Sequence, residues 1–322
     1  TAARSDDLDI IEQNHPSHVE HVTQDELNTR FAADPLDAFL FAFDLGDELF
    51  EVDFTSVDGG GANVGNGERT TRIPRADLDD AGQWANHFPA RATGPNASSC
   101  ASCHSLPVAD GAGPTAADVH RDPFHTGNIA QMIHRNTPHL HGMGAIQRVA
   151  EEMTDALHAQ RYGRMSRPMG NHDHGSPTRY DVDIDYRDLE GIDEDLVVKP
   201  FQWKGTFPTV RSFNLDAMHN ELGVQPREIL ADGLDGDGDG VHTEATIGDM
   251  TALTLYMAAQ PRPTTKVELG ENARGPVVTD EEIARINAGE AVFNAIGCAV
   301  CHVPELTIDT PIFSEPSTNE HY

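Results

Sequence analysis

The apolar positions of the chain fall into a few short helical stripes, separated by long stretches with no period. Thr23-Gln24-Asp25-Glu26 is a capping box that opens a short helix. Asp34-Pro35 opens a second, with Pro at its first position and Leu36, Phe39, Leu40 and Phe43 expected on its apolar face. A helix is predicted from Ile146 to Ala159 through Val149, Met153 and Leu157, and another around Asp249–Ala259, stopped by Pro261 and Pro263. Thr279-Asp280-Glu281-Glu282 is a further capping box, and its helix, with Ile283 and Ile286, runs towards Phe293. Between these, residues 51–99 are rich in Gly, Asn and Arg and read as a long functional loop. Residues 161–200, with His172 and His174, read as a polar surface excursion, and Phe201 to Phe213 as aromatic and partly β-like. Strands are few, so the expected class is mostly α with long irregular loops.

The cysteines change this picture most. All four lie in two runs, Cys100-Ala101-Ser102-Cys103-His104 and Cys298-Ala299-Val300-Cys301-His302, about two hundred residues apart. Cys-x-x-Cys-His is the attachment pattern of c-type haem: two thiols one short turn apart add to the vinyl groups, and the adjacent histidine becomes the proximal iron ligand. Two covalently bound haems c are therefore expected, on Cys100, Cys103 and His104 and on Cys298, Cys301 and His302. Competing readings are one all-thiolate zinc site, a thioredoxin-like redox pair and strained local disulfides. None of them accounts for a histidine in the same place twice.

Each motif also has a helix before it that fits a cytochrome c-like module. Gly289-Glu290-Ala291-Val292-Phe293 stands just ahead of the second motif, and Gly46-Asp47-Glu48-Leu49-Phe50 echoes it about fifty residues ahead of the first. The expected organisation is an N-terminal arm (1–30), a first haem module (31–200) with the insertion 51–99, a connecting region (201–262) with an acidic loop, and a second haem module (263–322) that looks truncated.

The formal net charge of −31 excludes nucleic acid and anionic membrane as partners. It suits a saline environment or a basic redox partner protein. No stretch is long and apolar enough for a transmembrane segment, and no signal peptide is read, so the chain is taken as a mature or trimmed form. Because haem attachment of this type takes place outside the cytoplasm, the expected location is periplasmic or extracellular.

Several blocks carry a resemblance. They are Gly94-Pro95-Asn96, the run Arg135-Asn136-Thr137-Pro138-His139-Leu140-His141-Gly142-Met143-Gly144, Trp203-Lys204-Gly205-Thr206 with Thr209, His219-Asn220-Glu221-Leu222-Gly223, Gly248-Asp249-Met250-Thr251-Ala252-Leu253, and the second haem motif with Pro304. With the first motif they make the chain resemble the bacterial di-haem oxidoreductases described as peroxidases or thiol oxidoreductases, distantly similar to di-haem cytochrome c peroxidases. The resemblance runs from about residue 35 to the end. It implies electron transfer between two haems with peroxidase-type activity, and it brings His219 and Met143 forward as candidate distal ligands of the first haem, beside His134, His139 and His141. It also implies that Trp203 could lie between the haems and Lys204 beside a propionate. Members of that family continue beyond the second motif into an Asp-Met-Gly stretch over the second haem. Here no Met follows Met257, which leaves three readings: the chain is cleaved, a further tail belongs to it, or an oligomer or partner subunit completes that site.

Two further sets of residues are candidates. Gln147 and Glu151, four apart on one helix face, have the spacing for a distal acid or base, against the blander reading of an exposed helix surface. Asp235-Gly236-Asp237-Gly238-Asp239-Gly240 opens like a calcium-binding EF-hand loop, but Thr246 stands where the bidentate Glu belongs and Glu244 comes two residues early. Two other functions fit the haem motifs as well: a pure electron-transfer cytochrome, as carrier or subunit of a multihaem assembly, and a haem-based sensor of a diatomic ligand.

Overall fold

The computed structural model describes residues 19–322 apart from 63, 65–67, 74–87, 92–93, 107–110, 114–117, 123, 125, 166–191, 231–232 and 272–274. Most of the N-terminal arm and of the expected excursion, with His172 and His174, lies outside the described residues. Within them the fold is mostly helical, with one two-stranded antiparallel ribbon, β1 (Val119–Arg121) and β2 (Ile133–Arg135).

The first two helices form where their caps are written. Helix α1 (Gln24–Ala33) starts at Thr23, whose hydroxyl accepts from Glu26 N at 3.1 Å. One residue separates it from α2 (Pro35–Glu51), where Asp34 accepts from the Leu36 and Asp37 amides. The buried stripe of α2 is not the expected one. Leu36, Phe39 and Leu40 are exposed, and the core instead takes Ala38, Ala42, Leu45, Gly46, Leu49 and Phe50. The physical reason is a close helix crossing. Helix α5 (Ile247–Ala259) passes so near that a Cβ on Gly46 would strike the Ala252 carbonyl and stand 2.5 Å from Tyr256 Cβ. Only small residues let the two backbones approach this far.

Helix α3 (Met143–Met165) begins three residues before the expected start and packs on α5. Helix α4 (Val210–Ala217) is a correction to the β-like reading of 201–213, where the only strand-like contact is the Phe201–Phe207 bridge. A Thr209–Ser212 capping box starts this helix, which widens into a π turn over Met218–Leu222. Because α4 and α5 fill the same core as α2, residues 201–262 belong to the body around the first motif and do not merely connect two modules.

The arm also contributes. Val19 and Val22 are buried, Val22 N donates to Asp249 Oδ1 at 2.8 Å, and His21 Nδ1 lies 2.7 Å from Asp249 Oδ2.

Beyond a short helix α6 (Lys266–Gly270), α7 (Asp280–Ala295) has the predicted Thr279 capping box but buries none of its residues. Residues 309–322 then lie along α3. Asp309 N and Thr310 N donate to Glu152, and Ser317 Oγ and Asn319 Nδ2 bond to Glu151 Oε1 and Asp155 Oδ1. No helix among the described residues is long and apolar enough to cross a membrane.

Candidate haem site

The first Cys-x-x-Cys-His run follows directly from the core. Ala101 N donates to Phe50 O at 3.1 Å, which pins the run to the end of α2. Cys103 N and His104 N then both donate to Cys100 O, at 3.1 and 3.0 Å. This single turn sets Cys100, Cys103 and His104 on one cavity of about 630 Å³, within the size range of cofactor sites. Its walls are largely apolar and come from α2, α4, α5 and the start of α3, including Phe50, Leu140, Phe201, Phe213, Leu222 and Leu253.

The chemistry of the motif suits iron ligation and argues against the competing readings. His104 Nδ1 donates to Gly111 O at 3.3 Å, and in the neutral ring a proton held there leaves the lone pair on Nε2. Burial pulls its pKa down to about 4, which keeps the imidazole neutral. Burial pushes the Cys103 thiol up, the opposite of what a thioredoxin-like nucleophile needs. No disulfide joins any of the four cysteines. They do not gather into one four-thiolate zinc site: among the described residues the only cluster of three or more ligating groups is Asp235, Asp237 and Asp239.

The cavity also has a basic rim in a chain with only 22 Lys and Arg. Arg121, Arg135 and Lys204 all line it. Arg121 Nη1 pairs with Glu221 Oε1 at 3.1 Å. The Arg135 guanidinium stacks on Trp203 with Cζ 3.4 Å from the ring centroid, and its buried Nε has no hydrogen-bond partner among the described residues. Lys204 Nζ stands 4.8 Å from the same ring. Two carboxylates carried into the cavity by a porphyrin would meet three cations there. Lys204 and Trp203 were expected here from the sequence, whereas no such role was read for Arg121 or Arg135, which pair across the ribbon with Ile133 and Val119.

Of the candidate distal ligands, Met143, His139 and His141 line the cavity. Met143 is buried, and His141 Nδ1 is buried without a hydrogen-bond partner among the described residues. Met218 and Met257 line it as well and were not singled out. His134 instead pairs with Asp118, Nε2 to Oδ2 at 2.7 Å. His219 is buried on the π turn but does not line the cavity, and its Nε2 donates to Ala90 O at 3.2 Å.

Gln147 and Glu151 are neither exposed, as the bland reading had it, nor on the cavity. Gln147 Oε1 accepts from Val210 N at 2.8 Å and its Nε2 donates to Glu151 Oε1 at 2.9 Å, while Arg148 and Ser317 also bond Glu151. They hold α3, α4 and the C-terminal segment together.

In the acidic loop, Asp235, Asp237 and Asp239 face one another, with Glu244 buried nearby. Burial pushes Asp237 up to about 6 and Glu244 well above its ordinary value, each helped by neighbouring carboxylates.

The second motif is built differently. Cys301 and His302 are exposed, His302 touches Phe293 at 6.0 Å between ring centroids, and Ile296 and Val300 are 70% and 81% exposed. A Cβ on Gly289 would meet nothing within 4 Å, so α7 lacks the close crossing that Gly46 makes.

The chain matches no family model, and no curated protein or solved structure matches it.

Proposed function

We propose that this chain is an extracytoplasmic di-haem c-type cytochrome of the oxidoreductase kind, related to the bacterial di-haem oxidoreductases it resembles. The observation that carries the reading is that Cys100, Cys103 and His104 open together onto a largely apolar cavity whose basic rim includes Arg135, its Nε without a hydrogen-bond partner among the described residues. A bound haem would supply one-electron transfer, and peroxide reduction wherever an iron keeps an open axial position.

The chain's own residues have separable tasks in this reading. Cys100 and Cys103 tether the porphyrin, and His104 presents Nε2 because its Nδ1–H is held by the Gly111 carbonyl. Arg121, Arg135 and Lys204 neutralise the propionates, while the apolar walls exclude water. Trp203, 41% exposed at the cavity, offers a π system between the buried interior and a docking redox partner. At the second motif, Cys298, Cys301 and His302 would hold the other haem, and its exposed apolar surroundings suit a partner subunit or second copy.

A specific observation favours the electron carrier as the second reading. Among the described residues the only carboxylate that lines the first cavity is Glu221, already paired with Arg121, whereas Met143, Met218 and His141 all close on it. That arrangement fills an axial position more readily than it moves protons across peroxide. Visible and EPR spectra of the ferric protein separate the two. A high-spin haem that reacts with peroxide supports the oxidoreductase, and two low-spin haems indifferent to peroxide leave the carrier. A protein that binds carbon monoxide tightly without turnover would instead be a sensor.

A further inference from the structure

We propose that the outer face of the α1–α2 hairpin docks a small basic electron-transfer protein, and that a run of packed aromatic rings joins this face to the proximal side of the first haem site. The electron route rests on the haem reading above; the docking face stands on the surface alone.

The outer side of α2 is built from the wrong residues for water. A surface helix ordinarily turns polar side chains to solvent. Leu36 and Leu40 are instead 66% and 51% exposed, and Phe39 beside them and Phe31 near the end of α1 are exposed as well. The core is served by the other side of α2, where Ala38, Ala42 and Gly46 are buried, Gly46 against Ala252 of α5. Large apolar side chains grouped in solvent mark a protein interaction site.

Charge decides the occupant. From Gln24 to Asp53 the chain has nine carboxylates and one cation, Arg30, against 53 and 22 in the whole sequence. Arg30 is already engaged, 2.9 Å from Glu26 and stacked on Phe41 with Cζ 3.7 Å from the ring centroid. Asp37, Asp44 and Glu48 are exposed on α2 itself. An apolar centre with an acidic surround complements an apolar face ringed by lysine. It repels a second copy, whose net charge is −31. The cavity mouth offers no such match, because Trp203 there stands with Arg135 and Lys204, which turn a basic protein away.

An independent observation ties the face to the haem site. Ring centroids follow one another at 6.0 Å from Phe39 to Phe43, 5.1 Å to Tyr256, 5.7 Å to Phe50 and 6.4 Å to His104. Every step lies within the contact range of aromatic pairs, about 4.5–7 Å. Tyr256 and Phe50 are buried, so the run starts at the exposed face and ends on the proximal histidine without crossing water. Phe43 and Phe50 are separated by about 10 Å of helix rise, well inside the reach of electron tunnelling through packed protein. The step moves one electron from the partner's reduced centre; no bond forms or breaks and no proton is released.

The test uses the full haem-loaded chain, with a small lysine-rich c-type cytochrome as probe and the same cytochrome succinylated at its lysines as control. At low salt the probe should bind one to one and the control should not, and the affinity should fall at least about tenfold as salt is raised to physiological strength. Leu36→Ser/Leu40→Ser and Asp44→Asn/Glu48→Gln should each weaken binding about tenfold. Both pairs are exposed, so folding is kept. Glu281→Gln/Glu290→Gln on α7 should bind as the wild type does. Phe43→Leu should keep the affinity and the haem spectrum but slow reduction of the chain by the bound probe in stopped flow, and Phe39→Leu gives the same comparison if that variant fails to fold. Binding that survives the α2 substitutions and fails on Trp203→Ala moves the docking site to the cavity mouth and overturns the proposal. So does a dimer of the chain that Leu36→Ser/Leu40→Ser disperses, or binding that begins only once residues 1–18 are removed. An unchanged rate in both ring variants reduces the aromatic run to packing and overturns the route. If the purified chain holds no haem, the route falls with the haem reading, while the binding results still decide the face.

Discussion

The Arg135 guanidinium lies flat on the Trp203 indole, 3.4 Å from Cζ to the ring centroid, at the rim of the cavity that Cys100, Cys103 and His104 share. It would hold a positive charge beside a haem bound there, and its buried Nε has no hydrogen-bond partner among the described residues. Removing that charge favours the ferric state. Arg135→Gln should lower the reduction potential of one haem by about 20–60 mV and leave the other unmoved, using roughly 59 mV per tenfold for a one-electron couple. A redox titration that shows no change in either haem would place Arg135 away from the propionates.

Gly46 and Gly289 occupy the same place in two similar runs but in different surroundings. Gly46→Ala drives a Cβ into the Ala252 carbonyl and Tyr256, which is backbone and packed core with nowhere to move. It should cost about 1–3 kcal/mol. Gly289→Ala meets nothing within 4 Å and should be neutral or stabilise by up to about 1 kcal/mol through helix propensity. Denaturant melts of the two variants check the contrast.

Glu151 is a structural hub, bonded by Gln147, Arg148 and Ser317. Glu151→Ala leaves Gln147 Nε2, Arg148 and Ser317 without their shared acceptor, at about 2–4 kcal/mol. Stability should fall while the haem spectra and the peroxide response of the folded fraction stay unchanged. A loss of peroxide reactivity at full stability would return Glu151 to a catalytic role.

His21 gives the fold a pH dependence. Burial works to lower its pKa, but the bond and charge of Asp249 outweigh burial and raise it above 6.5. A raised histidine contributes its stability in full below pH 6.5, and the contribution is lost as pH rises through the folded value. Melting temperature should therefore fall across that window by more in the wild type than in His21→Gln, as thermal melts at stepped pH would show.

Local chemistry was legible along the chain wherever it is written in adjacent residues. The caps at Thr23, Asp34 and Thr279 and the turn that presents Cys100, Cys103 and His104 follow from short-range hydrogen bonding, although the capping boxes at Thr209 and Thr246 went unread. The buried face of α2 was misjudged because hydrophobicity favours Leu36, Phe39 and Leu40, while the crossing with α5, two hundred residues away, selects Gly46 and its small neighbours. The same distance hid the membership of 201–262 in the first body. Spacing alone put Gln147 and Glu151 on an exposed face, since nothing local signals that Val210 N and Ser317 close over them. Among the basic residues, Arg135 looks like any other until β1 and β2 fold it over Trp203.

The central claim is that both cysteine pairs carry covalent haem. The most direct measurement is the intact mass of the purified protein together with its pyridine haemochrome spectrum, before and after acid–acetone extraction. The account predicts two haems per chain that resist extraction, one of them lost in Cys100→Ala/Cys103→Ala and the other in Cys298→Ala/Cys301→Ala. A chain that carries no haem, releases it to the solvent, or holds zinc on its four thiols would contradict it.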